Sequence, residues 1–464
     1  MISWKKTPAL FTSLLMLVGC ASAFFLPFFL LTFCTKKKPF WILPLLMFAF
    51  VKLLYFPLPT NESGKGQFHI EEIKKHPGPV KTTWVYRGTF TYFQGENKTY
   101  RNVPIRIYLP LGKKRPPANT DYSLEGTLSQ MSPATYLFKP AKNSAWIPVE
   151  KTSSLAEWRF EKKEKVKQWI FSRFKDKKVA LLLSALATGN LESRFLAYHF
   201  NVIGLQHLLA ISGFHFALLS FFLAFILKRL LPERVMAALL ILLLSSYFFY
   251  MGKAPSISRA YIGISLFLIA LLCHFRPSAL NALGVALLAA LLFDPLVITQ
   301  IGFQLSFGAT LGILLFYRTF SKKLQILCPK RPYKHLQTMP LFSQGAYLLC
   351  AYLRSSLALQ GAVLIFTLPL LLFHFHSFPL ASLYYNLFIP ASFSLLLALF
   401  LLHLDFLTAP FASFLITLIE NAPKKCLFSL TPISALVLAL SLALAWHLTK
   451  RKKKAPKMAP LKSD

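Results

Sequence analysis

The sequence predicts an α-helical polytopic membrane protein of about 9–11 spans, each needing about 20 apolar residues. A small β domain is inserted after the first two spans, followed by a basic amphipathic helix at the membrane interface. Three observations predict this. First, 55% of the 464 residues are hydrophobic, 45 of them Phe, and the mean hydropathy is +0.51. Second, the apolar runs lack the charged faces that helices of a large soluble core would need; residues 8–35 carry no charge at all. Third, a single long polar block, residues 60–154, interrupts them. The net charge of +35 suits cytoplasmic loops and a surface that meets a polyanion.

Residues 1–59 read as an N-terminal pair of transmembrane helices, 8–33 and 40–58, joined by "TKKKP". The first run is too long for the apolar part of a signal peptide, and a second run follows after only a short basic loop. In residues 60–154, "TTWVYRGTFTYF", "TYRNVPIRIYLP", "YSLEGTLSQ" and "ATYLFKP" alternate β-branched and aromatic residues with polar ones, between Gly, Asn and Pro signals. That pattern predicts a small β domain, a sandwich or a partly open barrel. Residues 155–178 carry nine basic and four acidic residues. Val166, Trp169, Ile170 and Phe174 recur there with helical spacing, which predicts a basic amphipathic helix with this face in the interface or packed on the β domain.

Residues 179–448 form the main membrane domain, with spans near 203–227, 235–251, 257–275, 279–293, 301–317, 348–373, 379–404 and 430–448. Residues 179–200 are cut by "TGNLESR" and read as a shorter or re-entrant piece, and 408–421 either spans or re-enters. Residues 449–464 are a basic tail. With the polar block outside, the inward loops 34–39, 228–234, 276–278 and 318–345 hold most loop Lys and Arg, so the positive-inside rule puts the β domain outside and the tail in the cytoplasm. The cysteines (Cys20, Cys34, Cys273, Cys328, Cys350 and Cys426) form no CxxC pair and imply neither a disulfide framework nor a zinc site.

Polar groups inside apolar runs are costly unless they face protein or a water-filled path. Those of interest are His207, Ser212, His215, Arg259, Gln304, Ser306, Arg354 and Asn386, with Gly213 beside two of them. "SGFH" at 212–215 and "GFQLSFGATLG" at 302–312 combine small residues with hydrogen-bonding ones, as a close helix contact or a broken helix requires. These residues are expected to line or brace a polar path; snorkelling at span ends and amide bridging between helices are the alternatives. An enzyme is not expected. Ser212 lacks the GxSxG elbow and an orienting acid, "HFH" at 374–376 lacks further ligands, and no GxxxxGK[ST] loop is present. No catalytic residue, metal or cofactor is therefore assigned.

The segment "NVIGLQHLLAISGFHFALLSFFLAFILKRLLP" resembles the most recognisable motif of the ComEC family of competence proteins. "APSISRAYIG", followed by "NALGVALLAALLFDPLVITQIGFQLSFGATLGILLF", is similar to its DP…GFQLSF…ATLG block. "LALQGAVLIFTLPLLLFHFHSFPLASLYYNLFIP" is similar to a later block. The resemblance covers about residues 180–405. It implies that 60–154 is an extracytoplasmic oligonucleotide-binding (OB-like) domain, that the interfacial helix follows it, and that the bundle is an inner-membrane channel for one DNA strand in natural transformation. A separate DNA receptor, a separate nuclease and a cytoplasmic ATP-driven motor are the implied partners, beside membrane lipid and the DNA itself. The chain has no HxHxDH motif, so nuclease activity is not carried over, and it reads "SPATYLFKP" where the family often has an NPGxFD-type segment. A strand entering from outside needs cations and aromatic platforms, and Trp84, Tyr86, Arg87, Tyr92, Arg101, Arg106, Tyr108, Lys113, Lys114 and Arg115 are the candidates. The alternative is a polytopic transporter or flippase of an anionic substrate, with a midplane site and repeated spans; no convincing repeat is visible.

Overall fold

The computed structural model describes residues 7–24, 41–54, 61–77, 82–96, 98–111, 115–132, 135–141, 145–150, 152–205, 213–252, 254–275, 278–326, 328–423 and 427–429. The chain divides into two compact units, Met1–Phe307 with Phe388–Ala422, and Gly308–Leu387 with Pro423–Asp464.

The polar block forms β1 (Glu62–Pro77), β2 (Thr82–Gly95), β3 (Thr99–Pro110), β4 (Tyr122–Ser132), β5 (Thr135–Pro140) and the short β6 (Ile147–Pro148). The strands run β1-β2-β3-β5-β4-β6, and β4 also pairs with β1. Five strands therefore close into a barrel, which settles the choice that alternation left open. The β3–β5 pairing is parallel and the others are antiparallel. Closure puts one side of every strand inside. Phe68, Ile70, Tyr86, Phe90, Phe93, Ile105, Ile107 and Phe138 are almost fully buried there. Phe138 meets Phe90 edge-on at 4.9 Å. Each such side chain contributes about 1.5–3 kcal/mol, and a one-residue slip of a strand would turn its share of this set outward.

The N-terminal helices are α1 (Pro8–Phe24) and α2 (Ile42–Leu54). The helix predicted after the β domain is α3 (Ala156–Arg173). The "TGNLESR" interruption separates α4 (Lys177–Thr188) from α5 (Arg194–Val202): Gly189 ends α4 in the left-handed region at φ 73°, and the Ser193 side chain caps α5 by accepting from the Leu196 amide. The next helices are α6 (Gly213–Leu230), α7 (Glu233–Met251), α8 (Pro255–Leu272) and α9 (Ala279–Phe293). After a 3₁₀ turn at Pro295–Thr299 comes α10 (Ile301–Leu324). The remainder are α11 (Tyr333–Gln337), α12 (Leu341–Phe375), α13 (Ala381–Leu401) and α14 (Asp405–Glu420). A small ribbon pairs β7 (Ser377–Pro379) with β8 (Leu427–Ser429).

Five described helices, α7, α8, α10, α12 and α13, are long and apolar enough to cross a membrane, and α1, α2 and α9 are shorter apolar helices. The predicted span 430–448 and the tail 449–464 lie outside the described residues. Several helices meet at glycines, as small-residue packing requires. A Cβ on Gly284 of α9 would strike the Leu10 backbone of α1, one on Gly19 of α1 would strike Pro44 of α2, and, within the second unit, one on Gly312 of α10 would strike the Ala362 carbonyl of α12.

The helix α3 joins the barrel to the helices of its unit. Toward the barrel, Arg115 donates a bidentate pair of hydrogen bonds to Glu157, one of them at 2.8 Å, and the Ala118 amide donates to the same carboxylate at 2.7 Å. Lys75 donates to Glu164 at 3.0 Å. Trp84 packs edge-on against Phe160 at 5.6 Å. Toward the helices, Arg159 Nε donates to the Phe249 carbonyl at 2.8 Å and Lys163 Nζ to the Met251 carbonyl at 3.1 Å. Both carbonyls close the C-terminal turn of α7, where cations are favoured. At its other end, α3 sets Trp169 against Phe400, 5.8 Å away, and Arg173 forms an ion pair with Asp405. The C-terminal ends of α7 and α13 therefore lie on the same side of the unit, under one helix.

The predicted apolar face of α3 is occupied only in part by protein. Ile170 and Phe174 are buried, but Trp169 remains 43% exposed. Lys163 takes a buried place instead, because its ammonium finds a carbonyl at the end of α7. The segment expected to span or re-enter is α14. Its start is tied to Arg173, its middle to Asp176 through Ser413 at 3.3 Å, and its end to Lys178 through Glu420 at 2.8 Å. It therefore lies alongside residues 173–178.

Candidate functional site

The first site lies among α6, α8 and α10. Arg259 is in the second turn of α8, on a helix apolar enough to span. An unpaired guanidinium there would be costly. Its Nε donates to Ser306 Oγ at 2.8 Å, across 47 residues of chain. The guanidinium also lies over Gly213, where a Cβ would stand 2.5 Å from Nη2. A side chain at 213 would therefore displace the guanidinium from this position. Gly213, Ala217, Arg259, Ala260, Gly263 and Ile264 line a cavity of about 190 Å³. Small residues at 213, 217, 260 and 263 keep this space open beside Arg259, the one charged group among its described lining residues. His215 is buried in the first turn of α6.

The rest of the DP…GFQLSF stretch is framework. Asp294 Oδ1 accepts the Leu296 amide at 3.0 Å and so caps the 3₁₀ turn. Gln304 Nε2 donates to the Ile298 carbonyl at 2.8 Å and folds that turn back onto α10. Of the residues expected to line or brace a path, the structure brings together Gly213, Arg259 and Ser306, and gives Gln304 a bracing role. Arg354 and Asn386 belong to the second unit. There Arg354 Nη1 donates to the Cys328 carbonyl at 2.5 Å and fastens the segment after α10 to α12. Asn386 is half-buried on α13. His207 and Ser212 lie outside the described residues.

The second site is the outer face of β2 and β3. Pairing places Arg87 directly opposite Arg106, with Tyr108 opposite Val85, and Tyr92 directly opposite Arg101 beyond Asn102, whose positive φ of 52° interrupts the alternation. Tyr92 and Tyr108 are exposed, at 45% and 37%. Like charges directly opposite each other destabilise a strand pair. Glu72 offsets part of this through a 3.5 Å pair with Arg87; Arg106 has no such carboxylate among the described residues. The face is therefore cationic, aromatic and suited to an anion with flat rings.

Three of the exterior candidates belong elsewhere. Tyr86 is fully buried in the barrel and donates to the Pro116 carbonyl at 2.7 Å. Its ring is a core side chain because residue 86 shares the inward parity of Phe90. Trp84 packs on α3. Arg115 is committed to Glu157 and lies over the Phe160 ring at 4.6 Å. Burial raises the Glu157 carboxyl, but the bonds from Arg115 and Ala118 outweigh it and hold its pKa below the ordinary value. Lys113 and Lys114 lie outside the described residues. Sequence reasoning missed Lys163 and Arg159 as the grips on α7. Their signal was faint: two cations four residues apart on a helix that precedes a span.

The fold and these two sites define a multi-pass protein of the cytoplasmic membrane, with a closed β barrel and an arginine held among its helices. Residues 189–452 match the family described as Competence protein, so the chain belongs to that family, the ComEC family. It is similar to ComE operon protein 3 of Bacillus subtilis (strain 168), with 31% identity over 186 residues, 40% of this chain and 21% of that protein. The match thus spans about a fifth of the relative's length. No solved structure matches the chain.

Proposed function

We propose that this protein is the inner-membrane channel that passes a single DNA strand into the cytoplasm during natural transformation. The observation that carries this reading is Arg259: a guanidinium built into a spanning helix of a competence-family domain, set over Gly213 and beside a small cavity. A strand carries one phosphate per nucleotide, and a fixed cation beside open space is what such a path needs. The barrel is an OB-fold in this reading, supported by its strand order, its β1–β4 closure and its parallel β3–β5 pair. In such folds the face of strands 2 and 3 takes oligonucleotides, and here that face carries Arg87, Arg101, Arg106, Tyr92 and Tyr108. The barrel stands outside, and α3 lies along the outer membrane boundary over the ends of α7 and α13. A receptor delivers the DNA, a separate nuclease removes the second strand and a cytoplasmic ATP-driven motor pulls.

The test is deletion of the gene in a transformable host, followed with labelled DNA. DNA is expected to bind outside the cell while protected uptake into the cytoplasm is abolished. Normal cytoplasmic uptake, with no second copy of the gene, sinks the reading.

A further inference from the structure

Two sides of α3 are occupied. One, with Glu157, Phe160 and Glu164, faces the barrel; another, with Arg159, Lys163, Ile170 and Phe174, faces the helices. At 100° per residue, the remaining side carries Trp158, Lys162, Lys165 and Trp169, at i, i+4, i+7 and i+11. All four are exposed, with Trp158 at 45% and Trp169 at 43%. Each indole has a cation near its ring: Lys162 Nζ is 6.0 Å from the Trp158 centroid, and the Arg173 guanidinium 5.0 Å from Trp169. Trp169 is backed by Phe400 and by His403 at 6.0 Å, so one of its edges is fixed while the other stays open. The two indoles stand about 16 Å apart along the axis, at 1.5 Å per residue.

We propose that this face of α3 binds single-stranded nucleic acid, the indoles stacking on bases and the lysines pairing with phosphates. The proposal rests on the DNA-channel reading and gives it a route from barrel to helices. Two observations favour a nucleic acid. A helix that anchors in a bilayer offers lipid a continuous apolar face, whereas Phe160, Ile170 and Phe174 are spent on protein contacts and the open face alternates aromatic with cationic groups. That alternation matches the platforms on which single strands stack. The helix also adjoins the barrel directly, where the Trp84 ring packs on Phe160 of α3.

The full-length protein is reconstituted in phosphatidylcholine nanodiscs, and binding of fluorescein-labelled dT30 is followed by anisotropy across a salt series. Lys162→Glu/Lys165→Glu is expected to weaken binding at least fivefold and to flatten the salt dependence; Trp158→Ala is expected to weaken it at least threefold. Lys162→Gln/Lys165→Gln serves as the gentler pair if charge reversal disturbs folding. In the wild type, irradiation with a 5-iodouracil-substituted strand is expected to leave adducts on Trp158 or Trp169. Variants of α3 that bind like the wild type, with no adduct on α3, overturn the inference. If Arg87→Glu/Arg106→Glu still weakens binding in that case, the channel reading stands without it. If the wild type does not bind dT30, both fail. Variants that keep dT30 binding but lose co-purifying phosphatidylglycerol assign the face to lipid headgroups and also overturn the inference.

Discussion

In the barrel, Arg87 and Arg106 stand opposite each other on an open face; among the helices, Arg259 is held by Ser306 with its guanidinium over Gly213. Water makes the difference. On the barrel, solvent screens a repulsive pair, and the cost of leaving it is small. Inside a span an unpaired guanidinium is costly, and Arg259 is held by a hydroxyl with a glycine leaving it room. The barrel can therefore present loose charge to a ligand, while the helices can offer only charge that is already placed. The contrast predicts large, geometry-sensitive effects among the helices and small, additive, salt-sensitive ones on the barrel.

The sharpest break is at Arg259. Arg259→Met and Gly213→Val are each expected to lower transformation frequency at least a hundredfold, with unchanged protein in the membrane fraction. The first removes the guanidinium; the second pushes it off its seat. Ser306→Ala leaves both in place and is expected to cost less. If Gly213→Val transforms normally, close contact with Arg259 is not required for transport.

The seam between the two regions comes next. Breaking one partner of a buried ion pair costs about 3–5 kcal/mol. Glu157 and Arg115 retain slight exposure, so Glu157→Gln is expected to fall near 3 kcal/mol on that scale. Thermal unfolding of the purified protein checks the loss, and limited proteolysis between barrel and α3 locates it. An unchanged melting temperature would show that Trp84 and Phe160 hold the seam alone.

Lys163 acts in the opposite direction. Burial lowers its pKa from the free lysine value of 10.5 to about 8. Between those values the unfolded chain keeps a proton that the folded protein has released, so stability rises with pH across that window. At pH 7 the buried ammonium is a cost, and a buried charge replaced by an apolar group of similar size is often neutral or stabilising by about 1–4 kcal/mol. Lys163→Met is expected to raise the melting temperature at pH 7 and to flatten its rise above pH 8. A lower melting temperature at pH 7 would mean that the bond to the Met251 carbonyl outweighs burial.

The sequence made local features legible and left long-range ones hidden. Alternation around Phe68, Ile70 and Phe90 shows strands, but closure depends on β1 meeting β4, a pairing of residues about sixty apart that no local pattern records. The periodicity of Val166, Ile170 and Phe174 shows a helix, yet it includes Trp169 and excludes Lys163. Hydrophobicity ranks side chains by type, while a carbonyl at the end of α7 decides where this lysine sits. Arg259 and Ser306 each stand out in apolar runs; only the fold shows that they meet. Asp294 and Gln304 stand out equally and turn out to brace a turn. Proline and charge in α14 (Pro410, Asp405, Glu420) mark an unusual segment, but its three ties to residues 173–178 could not be read from it.

The smallest effect tests the barrel's side of the contrast most directly. A directly opposed like-charge pair costs a few tenths of a kcal/mol relative to a neutral pair, and a β-branched residue suits an exposed strand position. Arg106→Thr is therefore expected to stabilise the barrel slightly, by about 0.3–0.5 kcal/mol. The same change removes a phosphate partner, so dT30 affinity is expected to fall a few-fold and the salt slope to drop by about one contact. Arg87→Thr is expected to stabilise less, because it also strips Glu72 of its partner. Stability and binding thus move in opposite directions only if the arginine pair is kept for a ligand. If Arg106→Thr lowers stability and leaves dT30 binding untouched, Arg106 serves the strand pairing, and the nucleic-acid face must lie elsewhere on the barrel.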